Sequence, residues 1–241
     1  PLAAFAGEVP QSPTFAANFV NRVWFLLMGR GLVEPLDLFH SGNPASHPEL
    51  LDLLAKEFTS KGYDIKWLIR ELAMTATYQR SSQLPVGVES LPEEKFLVAK
   101  QRRLSAEQLM ASVLRSTGAA VDDEAREALR ERFLKALANE PKEPEYEFSP
   151  SLKGALFVMN DGEVQKLSTV GPGSIVSRLS GEADGGKVAT ELYSAIFSRM
   201  PTDEESGELV TYLAEHGDDR TRALREIAWA MLASTEFAVN H

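Results

Sequence analysis

Helix start and stop signals recur along this chain of 241 residues, and they constrain its fold more than any other feature. Ser12 followed by Pro13 is typical of a helix N-cap with proline in the first turn. Apolar side chains then recur at helical spacing as far as Gly29, where we expect the helix to end: Phe15, Phe19, Val23, Leu26 and Leu27. The first segment is therefore predicted to be an amphipathic helix.

Further helix starts are predicted by three motifs in which Ser or Thr is followed three residues later by Glu or Gln. In such a capping box, the two side chains satisfy free backbone N–H groups at the start of a helix. The motifs begin at Ser46, Ser105 and Thr202, and Asp64 and Asp161 are predicted to cap two more helices. Apolar residues on the helices after Ser46 and Asp64 are assigned to the core: Leu50, Leu53, Leu54, Phe58, Ile65, Leu68, Ile69, Leu72 and Ala73.

Strand-like alternation of apolar and polar residues is not convincing anywhere in the sequence. We therefore predict an all-α fold, an irregular helical bundle of about nine helices in two packed groups. Residues 139–155 contain three prolines and are predicted to form a loop or a boundary between subdomains. This divides the chain into an N-terminal helical part at 1–138, which holds a polar connection at 37–49, and a C-terminal helical part at 156–241. The two parts are expected to form one compact domain.

Charge and composition exclude several classes of function. The net charge is −10, so the chain lacks the basic surface by which proteins bind nucleic acid. It has no cysteine, and therefore no disulfide, thiolate zinc site or cysteine nucleophile. No apolar run approaches the ~20 residues that span a bilayer. A chain that begins at Pro1 without an initiator methionine is expected to be a fragment of a longer protein.

The polar connection between the first two predicted helices is the best candidate site. Its residues are Asp37, His40, Asn43, Ser46, His47 and Glu49. A carboxylate and two imidazoles within ten residues could bind a divalent metal, although its identity is unknown, or supply a general acid and base. The alternative is structural, because Asn43 with Pro44 is turn chemistry and Glu49 belongs to the predicted capping box. The sequence favours this structural interpretation.

Polar residues also interrupt the first helix, at Asn21 and Arg22. Arg22 could form a buried ion pair with Asp37 or contact a helix C-terminus, or it could hold an anionic ligand through two hydrogen bonds. We favour the structural pairing and keep Arg22 as a candidate ligand-binding residue. Trp24, Trp67 and Trp229 occupy apolar helical positions and are predicted to lie in the core.

Several blocks of this sequence, in order, resemble a family known as domain of unknown function fifteen fifty-three, or the planctomycete PSD-one domain. They are NRVWFLLMGRGLVEP at 21–35, HPELLDLLAKEF at 47–58, GYDIKWLIR at 62–70, TYQRSS at 77–82, RRLSAE at 102–107, ALFVMND at 155–161, SRMPTDEE at 198–205 and STEFAVNH at 234–241. The likeness is weak at 122–150. Members often carry two adjacent acids before the phenylalanine at 39, where this chain has Asp37 and Leu38.

The resemblance implies a C-terminal module of large exported proteins, in the periplasm or at the cell surface, whose other domains are sometimes carbohydrate-related or cytochrome-like. It supplies no catalytic residues. We expect a non-catalytic scaffold or interaction module without a cofactor, whose partners are other domains of the same polypeptide. The alternative is a component of a polysaccharide-acting enzyme, or a metal- or carbohydrate-binding module, that uses Arg22 and the 37–49 cluster; carbohydrate is then the partner.

Overall fold

Helices form nearly all the regular structure in the computed structural model, which describes residues 7–137, 157–169 and 171–240. The described residues form two compact units, one extending to Arg102 and the other running from Arg103 to Asn240. Each unit has its own hydrophobic core. The predicted all-α class and its two packed groups of helices are confirmed. No helix among the described residues is long and apolar enough to cross a membrane.

Among its described residues, the first unit has three α-helices and two short 3₁₀ segments with defined bounds. The helices are α1 (Pro13–Met28), α2 (Pro48–Ser60) and α3 (Ile65–Ala73), and the 3₁₀ segments are Val9–Gln11 and Glu93–Lys95. Helix α1 packs against both α2 and α3. The center of this core contains Val20, Trp24, Phe58, Leu68 and Leu72, which are at most 3% exposed. Trp24 is thus a core residue, as predicted, whereas Trp67 is only partly buried.

The local signals located most ends of these helices correctly. Ser12 is the N-cap of α1, and the helix ends at Gly29, whose φ of 78° lies in the left-handed region that glycine adopts without strain. Asp64 caps α3 by accepting a hydrogen bond from the backbone N–H of Trp67 at 3.0 Å.

The predicted capping box at Ser46 and Glu49 is wrong. Helix α2 begins at Pro48 with His47 as its N-cap, and no side chain caps it. The backbone N–H of Ser46 instead donates to the carbonyl oxygen of Leu32 at 2.7 Å, which holds Ser46 in the connecting loop. Four apolar residues assigned to helix core faces are exposed instead: Leu26, Leu53, Ile65 and Ile69.

The second unit contains seven α-helices with described bounds. They are α4 (Ala106–Thr117), α5 (Asp123–Leu137), α6 (Gly162–Leu167), α7 (Ile175–Leu179), α8 (Gly185–Phe197), α9 (Asp203–Glu215) and α10 (Arg220–Leu232). A 3₁₀ turn, Gly217–Asp219, precedes α10, and two short strands, β1 (Arg102–Arg103) and β2 (Val239–Asn240), pair with each other. The capping boxes predicted at Ser105 and Thr202 are present, and Asp161 caps α6.

Helices α4 and α5 contribute side chains to the second core, among them Val113 and Phe133. The division between the units falls after Arg102, whereas α4 and α5 were predicted to belong to the N-terminal part. The predicted boundary at 139–155 lies outside the described residues, so it stays a prediction.

Candidate functional site

The loop after α1 is held by Asn21, whose side chain is completely buried. The Asn21 amide donates to the carbonyl oxygen of Val33 and accepts from the Val33 backbone N–H, both at 2.9 Å. In the same loop, the N–H of Gly31 donates to the Glu34 carboxylate at 2.9 Å, and the Glu34-Pro35 bond is cis. An amide on the core face of α1 thus fixes the path of the chain that leads into the predicted polar connection.

Arg22 and Asp37, two predicted site residues, pair with each other. The Arg22 Nη2 lies 2.6 Å from Oδ1 of Asp37, which confirms the predicted contact. The predicted burial is wrong, because the two side chains are 50% and 65% exposed. Water screens an exposed pair of this kind, so we expect it to contribute less than about 1 kcal/mol.

His40 and Asn43 form a tight turn. The N–H of Asn43 donates to the His40 carbonyl oxygen at 2.9 Å, and the Asn43 side-chain amide donates to the Leu38 carbonyl oxygen at 2.8 Å. The Nδ1 atom of His40 accepts from the Gly42 N–H at 3.1 Å. Because Nδ1 accepts this bond, the ring N–H of His40 is on Nε2. Both residues therefore have structural roles, while His40 keeps one ring N–H available to a ligand.

His47 and Glu49 lie at the start of α2. The His47 Nδ1 is 3.1 Å from the Ser46 hydroxyl, and the imidazole packs against Phe96 with ring centroids 5.9 Å apart. Glu49 is exposed in the first helical turn. In the described part of the chain, no three His, Asp or Glu side chains come together as a group that could hold a metal ion.

A groove of about 880 Å³ opens on the first unit. Its walls are the start of α1, the length of α2 and the loop that carries His40 and Asn43. Apolar side chains and prolines dominate the lining, among them Ala17, Val33, Phe39, Leu51 and Ala55. A groove of this size and character is typical of a binding site. Two of the six predicted ligand-binding residues, His40 and Asn43, therefore border it.

The groove carries little net charge. Its two side chains of fixed charge, Asp52 and Lys56, lie one turn apart on α2 and pair at 2.5 Å. The first 102 residues contain ten Lys/Arg and eleven Asp/Glu, so their net charge is −1. The remaining residues contain fifteen Lys/Arg and twenty-four Asp/Glu, and carry −9. The acidity of this protein thus belongs almost entirely to the other part of the chain.

The second unit holds a cluster of charges centered on Arg199, a residue that was not predicted to belong to a site. Its guanidinium pairs with Glu205 at 2.7 Å and with Glu236 at 2.6 Å. The hydrogen bonds from Arg199 to the Glu205 carboxylate lower the pKa of that carboxyl to about 2, helped by a bond from the Thr202 backbone. The same two carboxylates raise the pKa of Arg199. Arg199, Glu205 and Glu236 therefore all form ion pairs within this cluster.

The described residues define an all-helical protein with an apolar groove in its first unit. Over residues 7–146, the chain matches the family model PSD1, described as a protein of unknown function (DUF1553). That match covers more than half of the sequence, and the chain belongs to this family. No curated protein and no solved structure matches it.

Proposed function

We propose that this chain is a non-catalytic interaction module, and that its groove binds an uncharged, apolar segment of a partner protein. The observation that carries this proposal is the groove along α2, which is lined by small apolar side chains. Its two charged side chains, Asp52 and Lys56, pair with each other and add no net charge. The family supplies no activity to weigh against it.

The chemistry of the lining defines the occupant. A charged segment would lose hydration in the groove and meet an ion pair, Asp52 with Lys56, that is already neutral. An apolar side chain that contacts Leu51 and Ala55 would instead gain about 1.5–3 kcal/mol when fully buried. Small residues on both helices, Ala17 on α1 and Ala55 on α2, also let a partner backbone approach closely. Two or three apolar anchors are therefore the main recognition elements we expect.

The setting of this module is a separate part of the proposal. The resemblance described above supports an exported multidomain protein, in the periplasm or at the cell surface, in which other domains of the same polypeptide supply the partner segment. Because the partner can then be covalently linked, even a weak groove contact would be occupied at the high effective concentration of a tethered segment.

Carbohydrate binding at the same groove is the second candidate. It is favoured by the polar groups of His40, Asn43 and Tyr63, which line the groove beside the aromatic ring of Phe39. A polysaccharide-cleaving enzyme has less support. Glycosidases use two carboxyl groups about 5–9.5 Å apart, whereas Asp52 is the single carboxylate among the described lining residues and is paired with Lys56.

Selection from a random-peptide display library on the whole chain tests the proposal. We expect uncharged peptides with two or more apolar anchors to be enriched, and their binding to fall at least tenfold in A17W and S60W, which fill the groove at α1 and at the end of α2. The matched control is L53W, because Leu53 lies on α2 but is 55% exposed and is not a lining residue.

Glycan binding is measured in parallel on an oligosaccharide array with the same three variants. Oligosaccharides that bind the unchanged chain and are lost in A17W and S60W would replace the peptide proposal with the carbohydrate one. Peptides that bind all variants equally would show that the groove is not their site, and would refute the proposal.

A further inference from the structure

Arg199 holds the end of the described chain to the second unit through an ion pair with Glu236. Its Nε donates to Oε1 of Glu236 at 2.6 Å, and its Nη2 donates to Oε2 at 3.0 Å. Glu236 lies within residues 234–240, a short segment that follows α10 and ends in strand β2. We call residues 234–240 the C-terminal strap.

Arg199 itself is held in position from several directions. Its Nη1 and Nη2 atoms donate to the two carboxylate oxygens of Glu205 at 2.8 Å and 2.7 Å, and Nη1 also donates to the Met200 carbonyl oxygen at 3.1 Å. The guanidinium carbon lies 5.1 Å from the ring centroid of Tyr193. These contacts, with the two to Glu236, engage all five N–H groups of the guanidinium. Lysine has a single ammonium and could not reproduce this geometry.

The strap covers parts of the second unit. Phe237 is 5% exposed and belongs to the second core. The carbonyl oxygen of Ala238 accepts from the backbone N–H of Leu104 at 2.9 Å, just before α4 begins. Opening the strap would therefore expose the Phe237 side chain and the N–H of Leu104 together.

We propose that the C-terminal strap opens as a local unit and that the pairing of Arg199 with Glu236 is its lock. The segment is short, and local openings of such segments need less free energy than unfolding of the core. The side chains of Arg199 and Glu236 are 37% and 30% exposed, so dissolved salt reaches the lock and weakens it. When the lock is weakened, the N–H of Leu104 and the side chain of Phe237 become accessible while the helices of the second unit stay folded.

Site-resolved amide hydrogen exchange on the full chain tests this proposal. In E236Q and R199K we expect exchange at the Leu104 amide, and at the amides of Phe237 and Ala238, to be at least tenfold faster than in the unchanged chain. Addition of 0.5 M NaCl to the unchanged chain should produce a smaller change of the same kind. Amides in the middle of α8, such as that of Leu192, should keep their rates.

Two control variants separate the lock from general destabilisation. E191Q removes one member of an exposed ion pair with Arg178 in the same unit and should change no strap amide by more than twofold. E205Q removes the carboxylate that forms the other ion pair with Arg199 at the start of α9, so it should act first on the amides there. The proposal is overturned if E236Q leaves the Leu104 amide within twofold of the unchanged chain. It is also overturned if E236Q accelerates Leu192 as much as Leu104, because the strap would then not open on its own.

Discussion

Replacement of Asn21 tests whether one buried amide organises the first unit. Its side chain is completely buried and forms two hydrogen bonds of 2.9 Å with the backbone of Val33, which is itself 2% exposed. Asn21→Ala leaves a backbone N–H and a carbonyl oxygen buried without a partner. A buried group in that state costs about 1–3 kcal/mol, so N21A should lower the free energy of unfolding of the first unit by about 2–5 kcal/mol.

A second substitution separates the effect of the lost hydrogen bonds on stability from the effect of the lost side-chain volume. Asn21→Asp retains an acceptor for the Val33 N–H but places a carboxylate against the Val33 carbonyl oxygen. At pH 7, N21D should therefore be at least as unstable as N21A. Burial raises the pKa of a carboxyl group. The protonated acid could then donate to Val33, so the defect of N21D should shrink as the pH falls toward 5, whereas that of N21A should not.

The assay is urea unfolding followed by tryptophan fluorescence in a W229F background. Trp24 and Trp67 both lie in the first unit, so this signal reports on that unit alone. Asn18→Ala, one turn earlier on α1, is the matched control and should change the free energy by less than about 0.5 kcal/mol. A loss below 1 kcal/mol in N21A, or an N21D variant as stable as the unchanged chain at pH 7, would refute the assigned role of Asn21.

Three further predictions concern single contacts. Gly31→Ala should destabilise the first unit by about 1–3 kcal/mol in the same urea assay, because the new methyl group would collide with backbone and with a core leucine. Arg22→Ala should change stability by less than about 1 kcal/mol at 0.15 M salt, because its pair with Asp37 is exposed; a larger loss would show that this pair organises the loop. Arg199 lowers the folded-state pKa of Glu205 to about 2, below the unfolded value of about 4.3. The resulting stabilisation, about 1–2 kcal/mol after solvent screening, should be complete above pH 4.3 and lost as the pH falls through 2. E205Q should remove that part of the pH dependence in acid titrations followed by circular dichroism, and an unchanged profile would contradict the assignment.

Helix ends could be predicted from the sequence where the signal is local. Gly29 ends α1 in the left-handed region, and the capping box at Thr202 needs only residues three positions apart. The failure at Ser46 has a non-local cause. Its backbone N–H bonds to Leu32, fourteen residues away, and no local pattern contains that contact.

Apolar periodicity identifies which residues can pack, but the neighbouring elements select the face that does. On α3, the predicted face contained both Leu68 with Leu72 and Ile65 with Ile69. The structure buries the leucines to 0% and 1% exposure and leaves the isoleucines 47% and 43% exposed. Helix α1 packs against α3, and its position depends on the whole first core rather than on the sequence of α3.

The groove could be predicted only in part. Most of its lining side chains are apolar, and their sequence pattern does not distinguish them from ordinary core residues. Ala17 and Ala55 are typical of a helix interface, and their small size could equally serve close packing of α1 on α2. His40 and Asn43 were recognisable because polar residues in a short loop stand out. Their side chains form hydrogen bonds with the loop backbone, so the loop needs these residues for its conformation even when no ligand is bound.

Asn21 connects the stability of the first unit with the proposed function. Val33 is bonded to Asn21 on one side and lines the groove on the other, so the buried amide sets the position of the groove wall. A change in the core could therefore impair binding without altering any residue that touches the partner. If the groove is the binding site, N21A should weaken selected peptides even under conditions in which the variant is fully folded. L53W, which changes an exposed residue of α2, should not. If N21A binds the selected peptides as tightly as the unchanged chain does, the shape of the groove must be set by the helices alone.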